Sequence, residues 1–366
     1  MATRRRYLRA ATAHLLSKGI TAVGDMGDVT FGLGESSKTE RQIYKDIFGL
    51  LPSAANEIFV RVSAAVPLSS TEKFAAFLRA EGARRNVTEA LRIGSVKGFI
   101  DGSLGSRTAL FSSPYLDAPA GGADDAGMRI EPLEAVRRKA LLAAGQNMQV
   151  IVHAIGDRAI DDVLSIYEEA AAAAGGAAEG APVHRIEHVQ HMARPAADTA
   201  ARIAAVGAIA SVQPLHLVYD RENAEAALGE EAASASSYLF RTMLDAGVRL
   251  AFGSDWPVVD ADPIRAIHAA RFRRAVGAAE GDAWLPEEAV SAAESLLAYT
   301  RGAAASIGWS DEIGSLEPGK LADFVVWSED FVSRWDGGGG PGAEALPRAL
   351  HVFVGGSCVY GCHRGG

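Results

Sequence analysis

Seven short apolar runs, each followed by a segment long enough for a helix, constrain this 366-residue chain more than any other feature. They fall at 20–26, 58–66, 93–100, 148–155, 184–190, 208–213 and 248–254. Strands that alternate with helices build parallel βα units. Eight such units close the commonest barrel of this type. A count of seven therefore predicts an α/β chain: a (β/α)8 TIM-type barrel lacking its first strand. Every later gap is filled, so the missing strand is expected before residue 1.

The intervening helices are legible too. Ile160, Val163, Leu164 and Tyr167 follow the spacing of one buried helical face. Asp262-Pro263 supplies an N-cap and a first-turn proline ahead of Ile264, Ile267 and His268. Leu285-Pro286-Glu287-Glu288 is expected to open another helix, with Val290, Leu296 and Leu297 apolar. At the N-terminus, Tyr7, Leu8, Ala11, Leu15 and Leu16 lie near one helical face, and Gly19 stops the helix. That segment is also Arg-rich and acid-free, a composition shared with organelle transit peptides.

The tail changes character near residue 309. The stretch 313–327 reads as a turn and an apolar strand, and 351–361 as a strand pair around Gly355-Gly356. The Gly-rich stretch 336–348 between them reads as an insertion. The expected division is an incomplete barrel over 1–308 and a small β appendage over 309–366.

Composition narrows the function classes. A net charge of -9 argues against a nucleic-acid partner, because phosphate binding needs a basic surface. No run approaches the roughly 20 apolar residues of a membrane span. Cys358 and Cys362 are too few for a structural zinc site or a disulfide framework, and a reducing, cytoplasmic setting fits them. A small-molecule substrate is the expected partner, with a homo-oligomer allowed.

The chemistry gathers at strand ends. Lys97, His153, His188 and Asp255 each sit in or just after an apolar run and before a polar loop. In a parallel barrel such positions converge on one mouth, and two His, one Asp and one Lys there suit a metal site for hydrolysis. Taken alone, His153 reads better as a core histidine satisfied by a backbone carbonyl; its companions at equivalent strand ends favour the ligand reading. His188 lies inside a strand, where alternation puts it with Ile186 and Gln190, while Glu187 orients Arg185 or a helix terminus. Asp255 precedes Trp256-Pro257, which fits a bulky loop better than a helix cap. Lys97 has two readings: a carbamate able to bridge two metals, or an amine paired with Asp101 or another acid. Arg107, closing the Gly-rich loop after Asp101, is a candidate clamp on a substrate oxygen. Gln213 and His216, at another strand end, are candidate substrate contacts. His14, His184, His268, His351 and His363 are read as structural.

Together the stretches 97–111, 150–164, 184–192, 210–216 and 251–258 resemble the metal-dependent amidohydrolase superfamily, in particular its YtcJ-like branch, amidohydrolase family 3. The tail 313–327 matches as well, leading in that superfamily into a small β-sandwich. The resemblance implies a barrel with one or two divalent metals, usually zinc. It places Lys97, His153, His188 and Asp255 at the ligand positions of strands four, five, six and eight. Asp255 doubles as the proton-transferring carboxylate. The implied activity is hydrolysis of carbon–nitrogen bonds other than peptide bonds. The family's first strand ends in a His-x-His pair, and this sequence contains none. The expectation is therefore a truncated chain with a weakened metal site. Two alternatives stay open: a non-catalytic scaffold or regulatory member, and a phosphoesterase on the same barrel.

Overall fold

The computed structural model describes residues 2–26, 60–80, 86–88, 90–118, 125–173, 182–339 and 346–362. Seven parallel strands lie side by side in chain order: β1 (Ala22–Asp25), β2 (Arg61–Pro67), β4 (Leu91–Phe99), β5 (Gln149–Ala154), β6 (Arg185–His188), β7 (Ile209–Val212) and β8 (Arg249–Phe252). A short β3 (Asn86–Thr88) pairs antiparallel with β4. Each expected run supplies one parallel strand. Among the described residues β1 and β8 are not paired, so the curled sheet has two edges. This is the α/β pattern of a TIM-type barrel with one strand missing from the ring.

The strands are apolar because helices cover the sheet's outer face. All four residues of β6 and of β7 are buried. Ile160, Val163, Leu164 and Tyr167, on helix Asp157–Ala173, pack into the same core as Val150, Val152 and Ile186. Asp262 caps helix Pro263–Phe272 as its sequence suggests, with the Ile264 N–H donating to Oδ1 at 3.0 Å. That helix buries Ile264 and Ile267 against Phe331 and Trp335 of helix Phe331–Asp336.

The tail forms a three-stranded antiparallel sheet from β9 (Phe324–Trp327), β10 (Ala349–Val354) and β11 (Ser357–Tyr360), with β10 central. Gly355 and Gly356 join the hairpin, both at positive φ (57° and 78°), where glycine carries no steric cost. Arg61 on β2 reaches this tail, donating to Asp323 through Nε at 2.7 Å and Nη2 at 3.0 Å.

Four sequence expectations need correction. Cys358 and Cys362 are joined by a disulfide, not free thiols, because the turn after β11 brings their Cα atoms to 6.0 Å. Leu285-Pro286 opens only a 3-10 turn over Pro286–Glu288. Ala289 is extended, and the helix starts at Ala292 behind a Ser291/Glu294 capping box. Leu297 is consequently half exposed. The N-terminal helix Ala2–Ser17 buries Leu16 but leaves Tyr7 exposed. Segment 27–45 and His363 lie outside the described residues.

Candidate metal centre

Strand register brings the candidate ligands to one end of the sheet. Phe99 pairs with His153 across β4 and β5, Lys97 with Ile151, and Ala154 with His188 across β5 and β6. The imidazoles of His153 and His188 stand 4.4 Å apart centre to centre, edge on. His216 stacks on His188 at 6.2 Å. Lys97 is buried, its Nζ 4.7 Å from the centre of the Phe99 ring.

Simple alternation does not account for His188. Arg185 and Glu187 are both buried, and Arg185 Nη2 approaches Glu187 Oε1 at 2.7 Å, as expected of an orienting pair. The Glu187 charge is felt at Lys97 and His153. His188 reaches the same cluster because it and Val189 adopt left-handed backbone, φ 78° and 46°. Asp255 follows β8 in the same region of φ, at 53°.

Burial sets the charge states. It lowers the Lys97 amine to about 8, against the attraction of Glu187. It lowers His153 to about 4, with the Lys97 charge acting in the same direction. His188 falls well below its ordinary value by burial, assisted by His153, Lys97 and His216. Asp255 is raised by burial, while His216 and Lys97 pull it down by less. At neutral pH the imidazoles are therefore uncharged, the state in which histidine binds metal.

Two of these imidazoles are incompletely satisfied. His188 Nδ1 and His216 Nε2 are buried without a hydrogen-bond partner, as is Gln213 Oε1. Buried polar atoms are normally paired. Orphaned nitrogens beside a buried amine, held below its ordinary value, and a carboxylate form a donor set that suits a borderline-soft divalent ion. The fit is one of chemistry. As placed, no three His, Cys, Asp or Glu side chains among the described residues stand close enough to hold an ion.

Other candidates have separate employment. Arg107 donates to Asp117 through Nε and Nη2, and through Nη1 to the Leu104 carbonyl at 2.6 Å and Asn223 Oδ1 at 2.7 Å. It thus ties the Gly-rich loop to helix His216–Leu228. Gln213 Nε2 donates to the Ser211 carbonyl at 3.1 Å. His184 Nδ1 accepts from the Val150 N–H at 3.2 Å. His14 stacks on Trp256 at 5.4 Å.

Asp101 was visible in the sequence only as a possible partner of Lys97. In the structure its carboxylate is buried and accepts backbone N–H bonds from Leu110 (2.9 Å), Ile155 (3.1 Å) and Gly156 (2.9 Å). Burial pushes it up to about 7, with those donors opposing the shift. All three partners are remote in sequence, so no local signal announces them.

Residues 1–360 match the profile of the amidohydrolase family. The chain is 34% identical over 357 residues to the Arabidopsis thaliana protein LONG AFTER FAR-RED 3, covering 98% of this chain and 57% of that one. It is 30% identical over 251 residues to an N-substituted formamide deformylase of Arthrobacter pascens, covering 66% of this chain and 42% of that enzyme. The chain therefore spans about half the length of these relatives. A metal-dependent hydrolase from Pyrococcus furiosus superposes with a TM-score of 0.68 at 30% identity, covering 87% of this chain and 58% of that one.

Proposed function

Because the chain belongs to the amidohydrolase family, we propose that it is a metal-dependent hydrolase of carbon–nitrogen bonds other than peptide bonds, in amides, formamides or cyclic amides. The observation that carries this reading is the gathering of His153, His188 and His216, with two orphaned ring nitrogens, next to the buried Lys97. Likeness to a formamide deformylase supports the substrate class.

Lys97, His153, His188 and Asp255 are the residues that would hold one or two divalent ions, zinc by family habit. A carbamate on Lys97 is one form of that site, and its formation needs the uncharged amine that burial favours. A bound ion supplies Lewis acidity toward a carbonyl oxygen. The chain's own groups do the rest. Asp255, raised by burial, takes a proton from the attacking water and returns it to the departing nitrogen. Gln213 Oε1 and His216 Nε2, both lacking partners, orient the substrate by hydrogen bonds. Arg107, whose nitrogens are already engaged, braces the loop beside the mouth. With no His-x-His pair in the sequence, the site binds metal weakly and this chain alone is a poor catalyst.

The test combines metal analysis with an assay of formamides, phosphoesters and added zinc. We expect well under one zinc per chain after dialysis. Formamide hydrolysis should appear on zinc addition and vanish in His188→Ala. Tight stoichiometric zinc overturns the weakened site, and zinc-saturated protein inert to all amides overturns the hydrolase. A non-catalytic scaffold is the second reading, favoured by the lack of any closed three-ligand cluster among the described residues.

A further inference from the structure

We infer that the Asp101-Gly102 turn is a positioning device for His153. It holds the imidazole with its proton on Nε2 and so presents Nδ1 as the nitrogen available to a ligand. The inference rests on the hydrolase reading for its purpose, but its geometry stands separately.

His153 Nε2 lies 2.8 Å from the Gly102 carbonyl oxygen. A carbonyl only accepts, so Nε2 must carry the hydrogen in the neutral ring. Asp101 Oδ1 stands 3.4 Å from the same nitrogen, a second oxygen on that side. The opposite tautomer would set a lone pair against both oxygens. Fixing a ligand's tautomer through its far nitrogen is a general device of metal sites.

The turn is itself immobilised. The Asp101 carboxylate collects the N–H groups of Leu110, Ile155 and Gly156, drawn from the Gly-rich loop and from the segment after β5. Gly102 donates its own N–H to the Thr108 carbonyl at 3.1 Å. A Cβ on Gly102 would stand 2.0 Å from Thr108 Oγ1, so a larger residue there must displace Thr108 or the turn itself.

The experiment has two readouts. In the full chain without metal, labelled with 15N-histidine, long-range proton–nitrogen correlations report each tautomer, and loss of a signal in His153→Gln assigns it. The Nε2–H form is expected for His153, and an Nδ1–H form overturns the inference. Second, the zinc Kd of Asp101→Asn, measured by competition with a chelating dye, should rise about 10- to 100-fold. An unchanged Kd in a variant with native circular dichroism overturns it. Should Asp101→Asn fail to fold, the wild-type tautomer decides alone. Wild type that binds no zinc at any concentration sinks the hydrolase reading, and the tautomer still decides this one.

Discussion

Replacing Asp323 by Ala isolates the energetics of the contact between β2 and the tail sheet. Arg61 and Asp323 form a two-pronged pair, with side chains only 6% and 3% exposed. Asp323 also accepts the Gly355 N–H at 2.7 Å, which ties it to the β10–β11 hairpin. At 2.7 Å, and with an effective dielectric constant of about 20, the attraction is roughly 6 kcal/mol. Stripping water from each ion costs several kcal/mol, so the intact pair comes close to breaking even. Truncating Asp323 removes that attraction and the acceptor of the Gly355 N–H, while the Arg61 guanidinium stays buried. The expected loss is about 3–5 kcal/mol. Urea unfolding followed by tryptophan fluorescence reads this directly, since Trp327 lies on β9 next to Asp323. The double variant Arg61→Met/Asp323→Leu should recover most of the loss. A loss below about 1 kcal/mol in Asp323→Ala, the range of an exposed pair, would falsify the account of a dry junction.

Three further outcomes follow from the same geometry. Lys97 is held at about 8 in the fold, below the ordinary 10.5. The unfolded chain therefore binds more protons between these values, and stability rises with pH across that window. Lys97→Met should remove that slope and recover up to about 3 kcal/mol at neutral pH, read by urea titrations at pH 7 and pH 9. Asp262→Ala deletes the N-cap of helix Pro263–Phe272 and should cost about 1 kcal/mol by the same method. In Gly156→Ala the new Cβ would meet the Leu110 carbonyl oxygen at 2.1 Å. The two segments must part, at about 1–3 kcal/mol, with a weaker zinc affinity as a second readout.

The barrel was legible because its signals are local. Val150-Ile151-Val152 announces a buried strand, and the helix after it repeats its apolar residues at 160, 163, 164 and 167. The four candidate ligands carry the same kind of local signal, each marking a strand end. What escaped was non-local or carried by the backbone. Positive φ at His188, Val189 and Asp255 leaves no mark in the side-chain pattern, so alternation misassigned the face of His188. Arg107 looked unattached because Asn223 lies 116 residues away. Leu285-Pro286 looked like a helix start because proline suits a first turn, but the stronger Ser291/Glu294 box lay one turn later.

Three amide hydrogens from two stretches of chain, Leu110 on one and the adjacent Ile155 and Gly156 on the other, end on the single carboxylate of Asp101. None can leave alone without exposing an oxygen that the others still use. Their exchange with solvent should accordingly share one rate-limiting event, whose free energy is the local work of parting the Gly-rich loop from the segment after β5.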